Sequence, residues 1–482
     1  MKRLLCALLL LVGLAMLSAQ ACATAEKAPE KLSFGVFGEV LIYRSLDKNG
    51  GEPGRAVLLL SDGAWDARMD AAARTMADMD ATVVGIDTSR LLAPLRDKAE
   101  GCFYQAWEFE GLSKIVQKTL GFKGYHQPVL AGFGEGAAVA YATFAQAPKE
   151  IFAGAITLGF SPHLNIGKPF CAAGGYSFDN ATDATGAPGG GIVMRPVAKP
   201  QGLLVLLQGE GDKRFPLAEA TRFASQIPGA RVVTLSGAGE AMPEATLWRE
   251  AFREALGVVA PASSGKAPSA AKSVEDLPLV EAPSATPGKT LGVIVTGDGG
   301  WAGIDQQIGD IMAAHGVSVV GFNSLKYFWN KRTPEEMAHD LELVLKHYAA
   351  AWGAERFIVV GYSIGADVLP FMTGRMSEET KSRLALVAML GPGTHADFEF
   401  HLSNWLTTEN VPQGAPMIPE MAKLTKTPVL LVCGDEEEGT LCQNYQSPNV
   451  QSLVVPGGHH FNKEYDHIAL EILRAGGIAA KP

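Results

Sequence analysis

Phe357-Ile358-Val359-Val360-Gly361-Tyr362-Ser363-Ile364-Gly365-Ala366-Asp367-Val368-Leu369 is the stretch that decides the fold of this chain. Four consecutive apolar residues, three of them β-branched, predict a strand buried on both faces. Helix-forming residues begin at Ala366. Between them stands a G-x-S-x-G pentapeptide, a weak signal by itself in a chain with 54 glycines. With a strand before it and a helix after it, the pentapeptide predicts a nucleophile elbow, a strained turn that lifts the Ser363 hydroxyl above a parallel sheet. Its glycines let neighbouring backbones pass close to the turn.

A serine hydroxyl needs a base, and in this fold the base follows the last strand. Here Ser452-Leu453-Val454-Val455 runs into Pro456-Gly457-Gly458-His459-His460-Phe461. The spacing from Pro456 favours His460, with His459 as the alternative. The acid belongs after the preceding strand, in Val432-Cys433-Gly434-Asp435-Glu436-Glu437-Glu438. Three residues past the glycine is Glu437, and Asp435 is the alternative. An oxyanion hole needs two backbone N–H groups. One is expected from Ile364, the other from Gly299 or Gly300 in the loop Gly297-Asp298-Gly299-Gly300-Trp301.

Working outward, strands are predicted near Leu279–Ala282, Leu291–Thr296, Ser318–Phe322, Arg356–Gly361, Leu384–Leu390, Val429–Cys433 and Val450–Val455. Helices are predicted at Asp305–Ala314, Pro334–Ala351, Ala366–Met372 and Asp466–Ala475. Apolar runs alternating with helices mean a mostly parallel sheet with helices on both faces. The first half repeats the pattern. Val57-Leu58-Leu59-Leu60-Ser61-Asp62-Gly63-Ala64-Trp65 aligns with Val293-Ile294-Val295-Thr296-Gly297-Asp298-Gly299-Gly300-Trp301, and Thr82-Val83-Val84-Gly85-Ile86 aligns with Ser318-Val319-Val320-Gly321-Phe322 at the same offset. The fold class is therefore α/β, two tandem α/β-hydrolase-like domains, spanning residues 26–257 and 273–482 across a Pro/Ala/Ser linker at 258–272. The first copy is degenerate. Its elbow, Gly132-Phe133-Gly134-Glu135-Gly136, carries Gly134 where the nucleophile belongs, Glu240 stands at the base position, and Asp212 keeps the acid column. It reads as a binding or docking domain.

Residues 1–25 read as a secretory signal peptide: Lys2 and Arg3, an apolar run of about 14 residues from Leu4 to Leu17, then Ala19-Gln20-Ala21. Cys22 makes lipoprotein anchoring the lesser alternative to a free periplasmic protein. The net charge of −10 becomes more negative by two once Lys2 and Arg3 leave, which argues against nucleic acid. In an oxidising compartment the remaining cysteines, two per half, are expected to pair as Cys102–Cys171 and Cys433–Cys442. Neither a metal nor an organic cofactor is required.

The second half resembles the bacterial VirJ family, and the two-domain whole resembles AcvB. The resemblance is carried by Gly297-Asp298-Gly299-Gly300-Trp301, Tyr327-Phe328-Trp329 with Thr333-Pro334-Glu335, Gly361-Tyr362-Ser363-Ile364-Gly365-Ala366-Asp367, Phe400-His401-Leu402-Ser403-Asn404-Trp405-Leu406 and Pro456-Gly457-Gly458-His459-His460-Phe461. Ile364 departs from the phenylalanine common there. The resemblance implies a periplasmic hydrolase removing lysyl or alanyl groups from aminoacyl-phosphatidylglycerol at the membrane surface, with ties to virulence. On that reading Asp298, Asp305 or Asp397 would meet the ammonium group. Trp301, Tyr327, Phe328 and Trp405, with Phe398, Phe400, Trp329 and Met417, would form an apolar mouth for the substrate. The other reading is a docking component of an envelope or type IV secretion assembly, with little catalysis.

Overall fold

The computed structural model describes residues 28–45, 54–97, 100–182, 188–239, 243–261, 271–401 and 414–479. The expected signal peptide, Cys22, Glu240, Trp405 and the central part of the linker lie outside the described residues.

The first domain is built on strands β1 (Glu30–Phe34), β2 (Gly38–Tyr43), β3 (Ala56–Leu60), β4 (Thr82–Ile86), β5 (Val129–Phe133), β6 (Gly154–Leu158), β7 (Leu203–Gly209) and β8 (Arg231–Leu235). They form one sheet in the order β1-β2-β4-β3-β5-β6-β7-β8. The β1–β2 and β2–β4 pairs are antiparallel and the rest parallel. The second domain contributes β9 (Leu279–Ala282), β10 (Thr290–Val295), β11 (Ser318–Phe322), β12 (Arg356–Tyr362), β13 (Leu384–Leu390), β14 (Val429–Gly434) and β15 (Val450–Val455). Their order, β9-β11-β10-β12-β13-β14-β15, is the same one lacking a first strand. Every strand and helix expected in the second half is present, with ends within two residues.

Each sheet buries both faces, as its continuous apolar strands require. Val293, Val295, Val359 and Leu431 face one core of the second domain, and Ile294, Ile358, Val360 and Val432 face the other. Helix Pro334–Trp352 shows how local sequence sets an element. Thr333 and Glu336 form a reciprocal capping box, Pro334 opens the first turn and Gly353 closes the helix at φ +69°. The repeat extends to a packing detail. A Cβ on Gly85 would stand 2.4 Å from the Trp65 ring, and one on Gly321 would stand 2.2 Å from Trp301. In both copies the tryptophan after the β3 or β10 loop lies flat on a glycine of the next strand.

Both domains insert extra structure between corresponding strands. The first places a three-stranded antiparallel sheet (His163–Leu164, Phe178–Thr182, Pro188–Met194) between β6 and β7; the second pairs His395–Ala396 with Ala415–Pro416 between β13 and β14. Two disulfides, Cys102–Cys171 and Cys433–Cys442, are formed, one per domain, as expected from the sequence.

The domains meet along helix Gln105–Thr119 and the turn after it. Phe122 and Tyr125 of the first domain form one apolar cluster with Leu325, Trp329 and Phe400 of the second. Trp329, fully buried, donates its indole N–H to Phe122 O at 2.7 Å. Lys118 Nζ reaches Trp329 O at 2.6 Å and Glu399 at 3.0 Å, and Lys326 pairs with Glu150 at 3.1 Å. Among the described residues, no helix is long and apolar enough to cross a membrane.

Candidate active site

Ser363 sits between β12 and helix Ile364–Thr373 at φ +53°, ψ −124°. A non-glycine residue held there is strained, and the surroundings enforce it. Its N–H donates to Leu390 O at 3.0 Å. The flanking glycines are obligatory: a Cβ on Gly361 would lie 2.5 Å from Gly365 O, and one on Gly365 would lie 2.0 Å from Val295 O. The turn fits only because three backbones touch.

Ser363 follows β12 and Glu437 follows β14, with β13 between those strands, and the histidine that meets Glu437 is His459. His459 Nδ1 lies 2.7 Å from Glu437 Oε1, while Glu437 Oε2 accepts from Gly434 N at 2.7 Å. His460, favoured by the sequence spacing, turns the other way: its Nδ1 meets the Tyr362 hydroxyl at 3.0 Å. Asp435 is occupied in joining two loops, accepting from Gly457 N at 2.7 Å. The Tyr362 ring, which sequence reasoning passed over, stacks on His459 with centroids 5.2 Å apart.

The two imidazoles differ electrostatically. Burial pulls the His459 pKa down, but the surrounding carboxylates, Glu437 foremost, together outweigh it, so the pKa stands above the ordinary value. Burial and the neighbouring His459 together lower His460. Glu437 itself is penalised by burial, yet the hydrogen bonds from His459 and Gly434 hold it below the usual carboxylate range. Behind the elbow, burial pushes Asp367 up to about 7 against the N–H of Gly393, which it accepts at 2.8 Å.

The Gly297–Trp301 loop lies against the elbow: a Cβ on Gly297 would stand 2.9 Å from the Tyr362 ring and 3.7 Å from Ser363 Cβ. Gly300, at φ +71°, spends its N–H closing the turn onto Gly297 O at 3.1 Å. Of the two glycines named for the oxyanion hole, that leaves Gly299. Asp305 is buried beneath the loop with Oδ2 3.5 Å from Gly297 N, and burial holds its carboxyl well above the usual range. Asp298 and Asp397 remain partly exposed.

The expected aromatic mouth is not where the sequence placed it. Trp301, Tyr327 and Phe328 are 2%, 1% and 0% exposed, as are Trp329 at 0% and Met417 at 0%. Trp301 is the ring packed on Gly321, Tyr327 donates to Asp340 at 2.7 Å inside the core, and Phe400 stacks on Trp329 at the domain interface. Phe398 is partly buried against Phe371. The buried rings shape the domain and do not offer surface to a substrate, while Phe398 keeps part of its surface.

In the first domain the same construction is closed. Gly134 adopts φ +52°, ψ −113°, almost the Ser363 conformation. The Asp62 carboxylate fills the space above it, with Oδ1 accepting from Glu135 N at 2.9 Å. Glu135 N is the counterpart of Ile364 N, so in the first domain a carboxylate already occupies the elbow amide. A Cβ on Gly134 would stand 2.1 Å from Asp62 Oδ1. Asp212, in the acid column, caps a turn by accepting from Arg214 N and Phe215 N.

Residues 289–477 match the family described as bacterial virulence protein (VirJ). No curated protein sequence matches the chain. Among solved structures, it is similar to the proline iminopeptidase of Mycobacterium smegmatis, at 15% identity over 42% of this chain and 96% of that one, with a TM-score of 0.31. It is also similar to an esterase of Pyrococcus furiosus (14% identity, 42% and 95% covered, TM-score 0.30) and an α/β serine hydrolase without a lid from Xanthomonas campestris (15%, 50% and 97%, 0.30). The match to that family covers most of the second domain, and the first domain repeats the second's strand order with one strand more.

Proposed function

We propose that the second domain is a serine ester hydrolase acting outside the cytoplasm on aminoacyl-phosphatidylglycerol, with Ser363 as nucleophile, His459 as base and Glu437 as its orienting acid. The observation that carries this is the 2.7 Å Glu437–His459 contact beside a serine held at φ +53° on a strand–helix elbow. Glu437 accepts the Nδ1 proton of His459, which leaves Nε2 as the basic nitrogen. Ser363 Oγ attacks the aminoacyl carbonyl carbon while its proton passes to His459. The N–H groups of Ile364 and Gly299 take the oxyanion. The ester C–O bond then breaks, His459 protonates the departing glycerol oxygen, and phosphatidylglycerol leaves. Water attacks the acyl-enzyme by the reverse proton route, releasing the amino acid and restoring Ser363.

The charge pattern suits a cationic acyl group. Asp298 and Glu437 act on His459 through their charge, an acidic surrounding that disfavours an anionic acyl chain. Two disulfides are compatible with an exported protein. The test is release of free lysine or alanine from the corresponding aminoacyl-phosphatidylglycerol in mixed micelles by the full chain and by Ser363→Ala. Release by the parent alone supports the reading and ranks the two substrates. Equal release by Ser363→Ala ends it. No release by either protein, together with a stable envelope-protein complex, favours the docking role.

A further inference from the structure

Helix Gln105–Thr119 places Glu110 and Lys114 one turn apart, and both are withdrawn from solvent, at 1% and 0% exposure. Their 2.9 Å ion pair lies at the domain interface. A buried pair contributes little net stability in exchange for the desolvation of two charges, so what else it touches matters. Lys114 Nζ also donates to the carbonyl oxygen of Asp298 at 3.1 Å. That oxygen belongs to the peptide unit whose other end is the Gly299 N–H. In a planar trans peptide the C=O and N–H point to opposite sides, so fixing one direction fixes the other. The loop has little stiffness of its own at this point, with Gly299 and Gly300 in succession. More of the first domain bears on it: a Cβ on Gly299 would touch the Trp107 ring at 3.5 Å, and Ala302 packs into the first domain's core.

We propose that the first domain is a clamp for the oxyanion loop of the second: Lys114 holds the Asp298–Gly299 peptide so that the Gly299 N–H faces the reacting carbonyl. Lys114 is thereby a positioning residue, acting through Gly299. A charged donor on the carbonyl makes the stronger kind of hydrogen bond and polarises the amide, which improves its N–H as a donor. With the clamp absent, a flip of this peptide turns its carbonyl toward the developing oxyanion. This inference rests on the serine-hydrolase reading above, and it gives a domain without a nucleophile a share in the reaction.

The experiment uses the full chain with Lys114→Met, with Glu110→Gln/Lys114→Met to avoid leaving a buried carboxylate unpaired, and with Lys118→Ala as an interface change away from the loop. Each is assayed for kcat and KM on a p-nitrophenyl ester, and for inhibition by a trifluoromethyl ketone, which forms a tetrahedral oxyanion on the serine. Loss of one oxyanion donor lowers kcat by about 100-fold or more. We expect Lys114→Met and the double variant to lose kcat on that order, with KM changed less than about threefold, and to lose ketone affinity in proportion. Lys118→Ala keeps both within about twofold. Either Lys114 variant, folded and with kcat and ketone affinity within about twofold of the parent, overturns the clamp and leaves the hydrolase reading standing. A fall in kcat with ketone affinity unchanged also overturns it, since that is the signature of a general structural defect. A parent inert to both ester and ketone removes the hydrolase reading, and the clamp with it.

Discussion

His459 and His460 occupy adjacent positions and are pushed in opposite directions from the ordinary histidine value. In the proposed mechanism His459 is the base, and a base works only when neutral, so its raised pKa would set the acid limb of activity. The kcat/KM profile on a simple ester should fall on the acid side with a midpoint above about 6.5. Replacing Glu437 by Gln removes the charge that stabilises the imidazolium. The limb should therefore move to lower pH as the maximal rate drops, and a limb that stays in place would assign it to another group. The placing of Ser363 on the elbow and of Glu437 past β14 was legible in the sequence because each is fixed by a short count from a glycine at a strand end. Which histidine meets Glu437 was not. It depends on how the turn after Gly458 aims two adjacent rings, and that turn is set by Phe461, Asn462 and Lys463 at φ +50°, +44° and +67°. Of the three, only Asn462 is a residue type that favours left-handed backbone, too little to foretell the turn.

At the scale of the element, the elbow and its facing loop work as a unit, and the first domain shows what happens when the unit closes. Asp62 and Asp298 occupy equivalent loop positions in the two copies. In the first, the carboxylate sits on the elbow amide and over Gly134. Restoring the nucleophile alone should therefore fail. Gly134→Ser forces a Cβ into Asp62 at a φ that costs a non-glycine residue about 1–3 kcal/mol, so we expect a lower melting temperature and no labelling of residue 134 by a fluorophosphonate. Labelling there would show that the loop opens readily. The strands and helices were legible from periodicity, but the substrate mouth was not. Trp301, Tyr327 and Phe328 carry the same aromatic signal whether they face solvent or core, and here they are core. The Trp301–Gly321 contact, repeated as Trp65–Gly85, was present in the sequence as a pair kept at one offset, a sign of packing.

For the whole molecule, the two sheets share one strand order, and the interface between the domains runs beside the loop that faces the Ser363 elbow. Trp329 anchors that interface, fully buried among Tyr125, Phe122 and Phe400. Trp329→Ala should cost about 3–5 kcal/mol, read as a lower denaturant midpoint of the full chain; a loss below about 1 kcal/mol would mean that the domains are held elsewhere. The repeated strand order was legible because the two halves keep one offset of constant length. The docking was not, because a lysine such as Lys114 or Lys118 on a helix ordinarily signals solvent. Only the fold shows that one of them is wholly buried beneath Asp298.

The most direct test of the central assignment is covalent trapping of the full chain by a fluorophosphonate, with the adduct located by peptide mass spectrometry in the parent, His459→Ala and His460→Ala proteins. A Ser363–His459–Glu437 site predicts an adduct on Ser363 in the parent and in His460→Ala, with labelling slowed by about 1,000-fold or more in His459→Ala. Rapid labelling of His459→Ala alongside an unreactive His460→Ala, or no adduct on Ser363 in any of them, would contradict it.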